Sequence, residues 1–145
     1  MINRLDNYIN LYNKRHRLLA EISRIEKTQK EYVPIIMNTG VGGIHLGRVS
    51  MPTENAALKE LTFFAETEAE LKAKRQELTE TEAELTFLDN YIESIPDDML
   101  KEIFKRKFTN GESWTAIAIS YHYSPSSWVI MKKRALDYIK NNDFI

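Results

Sequence analysis

The stretch from residue 54 to residue 95 most constrains the fold of this chain, because it contains neither glycine nor proline. Its apolar residues return every seven positions, at Ala57, Phe64, Leu71, Leu78, Leu85 and Ile92. A repeat of seven keeps one side of an α-helix facing a partner helix. At about 1.5 Å per residue, the stretch would form a helix about 60 Å long. The sequence therefore predicts an all-α fold built around one long helix over residues 54–95.

Charged residues occupy alternate positions of this repeat, at Glu68, Arg75, Glu82 and Asp89. A parallel zipper of two such helices would bury these charges, which is unfavourable. Residues 1–32 also form an amphipathic helix, because their apolar residues recur at steps of three and four. These residues are Ile2, Leu5, Ile9, Tyr12, Leu19, Ile22 and Ile25. We therefore expect the two helices to form a partly exposed hairpin, a helical stalk over residues 1–95, in a homodimer.

Residues 33–53 are expected to form a Gly-rich loop, since they hold four of the five glycines and two of the four prolines. Both residue types interrupt helices. The loop lacks the GK[ST] sequence of phosphate-binding loops, so we predict no cofactor. The chain has no cysteine, and its three histidines are scattered, so we also predict no metal site and no catalytic site.

Residues 96–145 predict a second domain of three short helices. Asp97 begins a helix that reaches Phe108, and Gly111 stops it. The following stretch, "SWTAIAISYHYSPSSWVIMKKRAL", has the spacing of a helix-turn-helix. Ala118 is small enough for close helix contact, and His122 stands where the turn requires positive φ. Ser113 can cap the first of these helices and Ser124 the second, which Pro125 begins. The predicted inward face of the second helix consists of Trp128, Met131, Ala135 and Ile139.

The outward face of the last helix is the predicted DNA-binding site. Lysine and arginine can neutralise phosphates, serine can bond a phosphate or a base edge, and valine or isoleucine can contact a thymine methyl group. The predicted site residues are Ser124, Ser126, Ser127, Val129, Ile130, Lys132, Lys133, Arg134, Lys105 and Lys107. Although the net charge is −1, an acidic middle separates two mildly basic ends, and only the local charge matters for binding DNA.

The segment "IPDDMLKEIFKRKFTNGESWTAIAISYHYSPSSWVIMKKRALDYI" resembles region 4 of sigma factors. It is still more similar to the phage and prophage late-transcription regulators of the ArpU/RinA type, which carry a comparable serine, aromatic and "KKRAL" run. The matching residues include Ser113, Ile117, Ala118, Ser124, Ser127, Trp128 and Lys132 to Leu136. His122 in place of glycine and the apolar Val129 and Ile130 depart from the pattern. The resemblance implies an activator of late genes that binds double-stranded DNA and contacts RNA polymerase.

Two other functions are compatible with the same sequence. A small-terminase-like DNA-packaging subunit also joins a helix-turn-helix to an oligomerising helical stalk, and a ring of eight or more subunits would distinguish it. A protein-interaction adaptor would use the Val129 and Ile130 surface to bind another protein. The longest apolar runs fall well short of the roughly 20 residues that span a bilayer. We therefore expect a cytoplasmic protein of the bacterial host cell with no membrane partner.

Overall fold

The computed structural model describes the backbone of residues 1–42 and 50–142 and the side chains of residues 1–31 and 57–142. All regular structure in these ranges is helical, which confirms the all-α prediction. The helices are α1 (Ile2–Asp6), α2 (Tyr8–Gly42), α3 (Ser50–Glu93), α4 (Asp98–Phe104), α5 (Trp114–Ser120) and α6 (Pro125–Asn141). A π-helical turn over Lys105–Thr109 follows α4.

The first two predicted helices differ from the structure in their bounds. The helix predicted over residues 1–32 is divided at Asn7, and α2 extends to Gly42. The long helix begins at Ser50 and not at residue 54. The loop prediction is therefore wrong for residues 33–42 and 50–53, while residues 43–49 lie outside the described residues. Nucleation is the costly step of helix formation, so an established helix can extend through residues that would not begin one.

The chain divides into two compact units. The terminal unit comprises Met1–Lys14 and Thr81–Ile145, and the central unit comprises Arg15–Glu80. A separate domain that begins at residue 96 stays a prediction, because the terminal unit also includes residues 1–14 and 81–95.

The terminal unit has the larger hydrophobic core. Twelve buried side chains form it, and they come from α1, α2, α3, α4 and α6, from the π-helical turn and from the segment before α4: Leu5, Tyr8, Leu85, Leu88, Tyr91, Ile92, Ile95, Leu100, Phe104, Phe108, Ala135 and Ile139. Aromatic edges meet within it, with Phe104 5.6 Å from Phe108 and 5.9 Å from Tyr138 between ring centroids. Such edge-to-face pairs add stabilisation beyond the area that they bury.

The central unit has a narrower core. Ile22 and Ile25 of α2 pack against Leu71 of α3, with Leu78 partly buried beside them. Polar contacts also join the two helices: Glu21 pairs with Lys74, Glu26 with Arg75, and Gln29 with Thr67.

The predicted apolar face of the first helix is partly wrong. Leu5, Ile22 and Ile25 are buried, as expected. Leu19, in contrast, is 40% exposed, and its neighbour Leu18 is 1% exposed. Successive helix residues point about 100° apart, since 3.6 residues make one turn. Leu18 therefore takes the buried position that the spacing assigned to Leu19.

Two backbone features shape the segment between α4 and α5. The backbone N–H of Asn110 donates to the Lys105 carbonyl, five residues earlier, which defines the π-helical turn. The predicted α-helix to Phe108 therefore ends at Phe104 and continues as this wider turn, in which Phe108 is still buried. Gly111 then adopts φ +75, where a β-carbon would lie 2.5 Å from Cδ1 of Ile9. Gly111 thus stops the helix as predicted.

Candidate nucleic-acid interface

The N-terminal cap of α5 and the short turn that joins α5 to α6 match three local predictions. The Ser113 hydroxyl caps α5 by accepting from the Ala116 N–H. His122 has φ +57, the conformation that a glycine would otherwise supply. The Ser124 hydroxyl caps α6 by accepting from the Ser127 N–H, and Pro125 is the first residue of the helix. Both caps satisfy N–H groups that would otherwise have no partner within the helix.

Packing between α4, α5 and α6 fixes the direction of α6. Ile103, Ile117 and Met131 form a buried cluster, one residue from each helix. Ala118 is also buried, at the position predicted for close contact. Aromatic rings surround the cluster, since the Trp128 ring lies 5.7 Å from Tyr123 and 5.9 Å from Trp114 between centroids. Met131, Ala135 and Ile139 therefore face inward along α6, as predicted.

Four of the predicted site residues lie together on the outward face of α6. Ser126 and Lys133 are exposed, and Val129 and Ile130 are 65% and 63% exposed. Lys133 has no ion pair with any described residue, so its ammonium group is available to a ligand. Ser124 and Ser127 are exposed at the start of the same helix, where their hydroxyl groups bond to each other over 2.9 Å.

Lys132 and Lys107 lie near the Trp114 ring, apart from the outward face of α6. The Lys132 Nζ is 5.7 Å from the centroid of the Trp114 ring, and the Lys107 Nζ is 5.4 Å from it. Both ammonium groups are within the range of a cation–π interaction. Their side chains are half-buried, so part of their role is to pack on Trp114. The sequence predicted these lysines as phosphate ligands, and their shared contact with Trp114 was not foreseen.

Arg134 and Lys105 are each paired with a carboxylate. Arg134 donates to Asp97 over 2.8 Å, and Lys105 lies 2.6 Å from Glu93. The backbone N–H of Leu100 lowers the pKa of Asp97 most, and Arg134 contributes to the same shift. The hydrogen bond from Lys105 is the main cause of the lowered pKa of Glu93. A DNA phosphate would have to compete with these carboxylates for both cations, whereas Lys133 is available without such competition.

The sequence analysis did not identify Arg106, which contacts residues at both ends of α5. Its guanidinium donates two hydrogen bonds to Glu112, each 2.7 Å long, and a third to the Ser120 hydroxyl over 2.9 Å. It also lies 5.2 Å from the centroid of the Tyr121 ring. The pair with Glu112 lowers the pKa of that carboxyl. Arg106 therefore links the π-helical turn to both ends of α5. Its position in the basic run "KRKF" was the only signal in the sequence.

Comparisons with protein-family models, curated proteins and solved structures found no match to this chain. Within the described residues, no helix combines the length and apolar character needed to cross a bilayer. Histidine and carboxylate side chains of the described residues also form no cluster suited to a metal ion.

Proposed function

We propose that this protein is a DNA-binding transcriptional regulator in which α5 and α6 form a helix-turn-helix. In this proposal α6 enters the major groove and α5 packs across it. The observation that carries the proposal is the outward face of α6, where Ser126, Val129, Ile130 and Lys133 are exposed together. The positive φ of His122 and the buried Ala118 support the same assignment, because a helix-turn-helix needs a tight turn and a small residue between its helices.

The charge distribution supports DNA as the ligand. From Ser124 to Leu136 the chain has three basic residues and no acidic residue. Cations on a groove-facing helix neutralise phosphates and release counterions, so binding should weaken as salt rises. Lys133 is the first candidate for a phosphate contact, and Lys132, Arg134, Lys105 and Lys107 are further candidates once their present contacts are exchanged.

The resemblance to ArpU/RinA-type regulators and to sigma region 4 suggests what the regulator does. We propose that it activates late genes of a phage or prophage, and that RNA polymerase is a further partner. We also propose that α2 and α3 form a hairpin stalk that supports a homodimer. Two DNA-binding helices in one dimer would raise the affinity beyond that of a single α6.

Salt-dependent DNA binding by a single-lysine variant tests the proposal. Fragments from around the protein's own gene are titrated at two salt concentrations with the wild type, with Lys133→Ala and with Lys72→Ala. Lys72 is an exposed lysine of α3 and serves as the matched loss of charge. We expect Lys133→Ala to weaken binding and to reduce the salt slope by about one unit, with Lys72→Ala unchanged. Equal effects of the two variants would refute the assigned interface.

A protein-interaction adaptor is the second candidate, and one observation favours it. Ile119 of α5 is 69% exposed, and with Val129 and Ile130 it adds to the apolar surface of this region. Exposed apolar surface is typical of protein contact sites. In that case the folded wild type would bind no DNA fragment at either salt concentration, and the titration above would distinguish the two functions.

A further inference from the structure

We infer that the outward face of α6 recognises the C5-methyl group of pyrimidine bases, and thus thymine over uracil and 5-methylcytosine over cytosine. The inference rests on the proposed function and specifies which feature of DNA the site reads. Val129 and Ile130 are the residues that we assign to this recognition.

The exposure of Val129 and Ile130 is not explained by the fold. Both side chains are nearly two thirds exposed, so they contribute little to the core. Both are β-branched, and β-branched residues lose side-chain freedom in a helix and do not favour it. Neighbouring helix residues point about 100° apart, so the two side chains cover adjacent parts of one face. Two apolar groups held side by side in this way suit a ligand with small apolar groups at its surface.

DNA offers one such group. In the major groove the C5-methyl of thymine is the apolar feature of the base edges, and the other features are hydrogen-bond donors and acceptors. The outward face of α6 from Ser126 to Lys133 contains no arginine, asparagine or glutamine, and Lys133 is its one long polar side chain that can bond a purine edge. Val129 and Ile130 lie between Ser126 and Lys133, so methyl contact is the means of discrimination available to the centre of this face.

The charge pattern along α6 indicates which half of the helix meets the bases. Lys133 lies one turn beyond Val129 and Ile130, and the first acidic residue of the helix is Asp137. A carboxylate near phosphates is unfavourable, so the half that precedes Asp137 is the half that fits the groove. The first residues of a recognition helix are also those that contact base edges. Val129 and Ile130 lie within this half.

The test begins with the protein's choice from a random pool of 20-base-pair duplexes. The most enriched duplex is then made again with deoxyuridine in place of thymidine, which removes only the methyl groups. We expect the wild type to bind the uracil duplex about 4-fold more weakly for each contacted methyl group. Where a contacted thymine is replaced by cytosine, 5-methylcytosine at that position should restore a gain of similar size.

Two variants connect this effect to α6. Val129→Ser/Ile130→Ser should bind the thymine and uracil duplexes within about 2-fold of each other. Ile119→Ser removes an exposed apolar side chain of α5 and should retain the wild-type ratio. Because these residues are exposed, thermal unfolding of both variants should match the wild type.

The remaining outcomes separate the two levels of the proposal. Enrichment of a duplex that binds equally well with thymine and uracil would overturn methyl recognition and leave DNA binding intact. A Val129→Ser/Ile130→Ser variant that keeps the wild-type ratio would also overturn it, because other residues would then sense the methyl group. Failure of the folded wild type to enrich any duplex would overturn the proposed function itself.

Discussion

The terminal and central units use the same kind of helix and are stabilised differently. In the terminal unit, twelve buried residues from five helices, the π-helical turn and the segment before α4 form one core, with aromatic rings in edge contact. In the central unit, three buried residues on two helices form the described cluster, and polar pairs border it. Buried apolar area is the main source of stability, while exposed ion pairs add little. The terminal unit should therefore be the more stable of the two.

Both tryptophans, Trp114 and Trp128, belong to the terminal unit. Tryptophan fluorescence therefore reports on this unit alone, whereas helical circular dichroism reports on both. Local regions of a protein can unfold with different free energies, and two such probes can separate them. We expect the circular dichroism signal to begin to fall at lower urea than the fluorescence signal.

Phe104→Ala should lower the free energy of unfolding more than any other single substitution proposed. Phe104 is fully buried and contacts both Phe108 and Tyr138. Its removal leaves a cavity in the larger core, and we expect a loss of about 3–5 kcal/mol in the free energy of unfolding. Urea unfolding followed by tryptophan fluorescence measures it. Ile119→Ala, at an exposed position of the same unit, is the control and should change stability by less than about 0.5 kcal/mol.

Leu71→Ala should have a smaller effect, confined to the central unit. Leu71 is 1% exposed but lies in a cluster of only three buried residues. We expect a loss of about 2 kcal/mol, the lower end of the range for such substitutions, because a small cluster can relax around the cavity. The circular dichroism midpoint should fall more than the fluorescence midpoint. Leu61→Ala, at a 67% exposed position of α3, should leave both midpoints unchanged.

Equal shifts of the two midpoints in Leu71→Ala would contradict the comparison. They would mean that the two units unfold as one cooperative structure despite their different cores. The difference between the units would then concern packing only, and not local stability.

Periodicity predicted the helical class and much of the α3 core, because a seven-residue repeat directly describes one helix face. Leu71, Leu85 and Ile92 are buried as expected, Phe64 and Leu78 are half-buried, and Ala57 is exposed. Periodicity could not show that Leu18 is buried and Leu19 exposed, since adjacent leucines fit the same pattern. Which of them is buried depends on the residues that pack against the helix. The π-helical turn was equally hidden, because residues 105–109 have no sequence feature that separates it from an α-helix.

In the candidate site, too, some features could be predicted from the sequence and others could not. Capping and turn residues follow local rules, and Ser113, His122 and Ser124 adopt the predicted conformations. The partners of the cations depend on contacts distant in sequence, such as Arg134 with Asp97, 37 residues apart. A sequence shows that a cation is present. It does not show that a carboxylate from another helix holds it.

Asp97 offers a test of how local and distant contacts combine. Its carboxylate accepts from the Met99 N–H over 3.0 Å and also binds Arg134. Asp97→Ala removes both contacts and should reduce stability by about 1 kcal/mol, the usual effect of a lost helix cap. Asp97→Asn removes the charge but keeps the cap, since asparagine caps as well as aspartate, and should reduce stability by less. Tryptophan fluorescence during urea unfolding measures both.

Similar losses in the two Asp97 variants would show that the pair with Arg134 contributes more than the cap. That result would also remove Arg134 from the proposed phosphate ligands, because an arginine bound so strongly to Asp97 would not be available to DNA.

Glu84→Gln should lower stability least of these substitutions. The pH dependence of this loss shows whether it comes from the charge of Glu84. The Arg4 guanidinium donates two hydrogen bonds to Glu84, 2.6 and 2.7 Å long, and lies 4.2 Å from the centroid of the Phe87 ring. The hydrogen bond from Arg4 lowers the pKa of Glu84. A carboxyl group with a lowered folded-state pKa stabilises the fold above its unfolded value of about 4.3, and this contribution is lost as pH falls through the folded value.

At pH 7 we therefore expect Glu84→Gln to be less stable than the wild type by at most about 1 kcal/mol, because both side chains are about one third exposed. As pH falls from the unfolded pKa through the lower folded pKa, the difference should shrink and then disappear, since the wild-type carboxyl also becomes uncharged. Thermal unfolding of both proteins at several pH values measures this. Glu80→Gln, at an exposed position without an ion pair to any described residue, is the control. A Glu84→Gln difference that persists unchanged in acid would show that the variant disturbs the packing of Arg4 and Phe87, and that the charge of Glu84 contributes little.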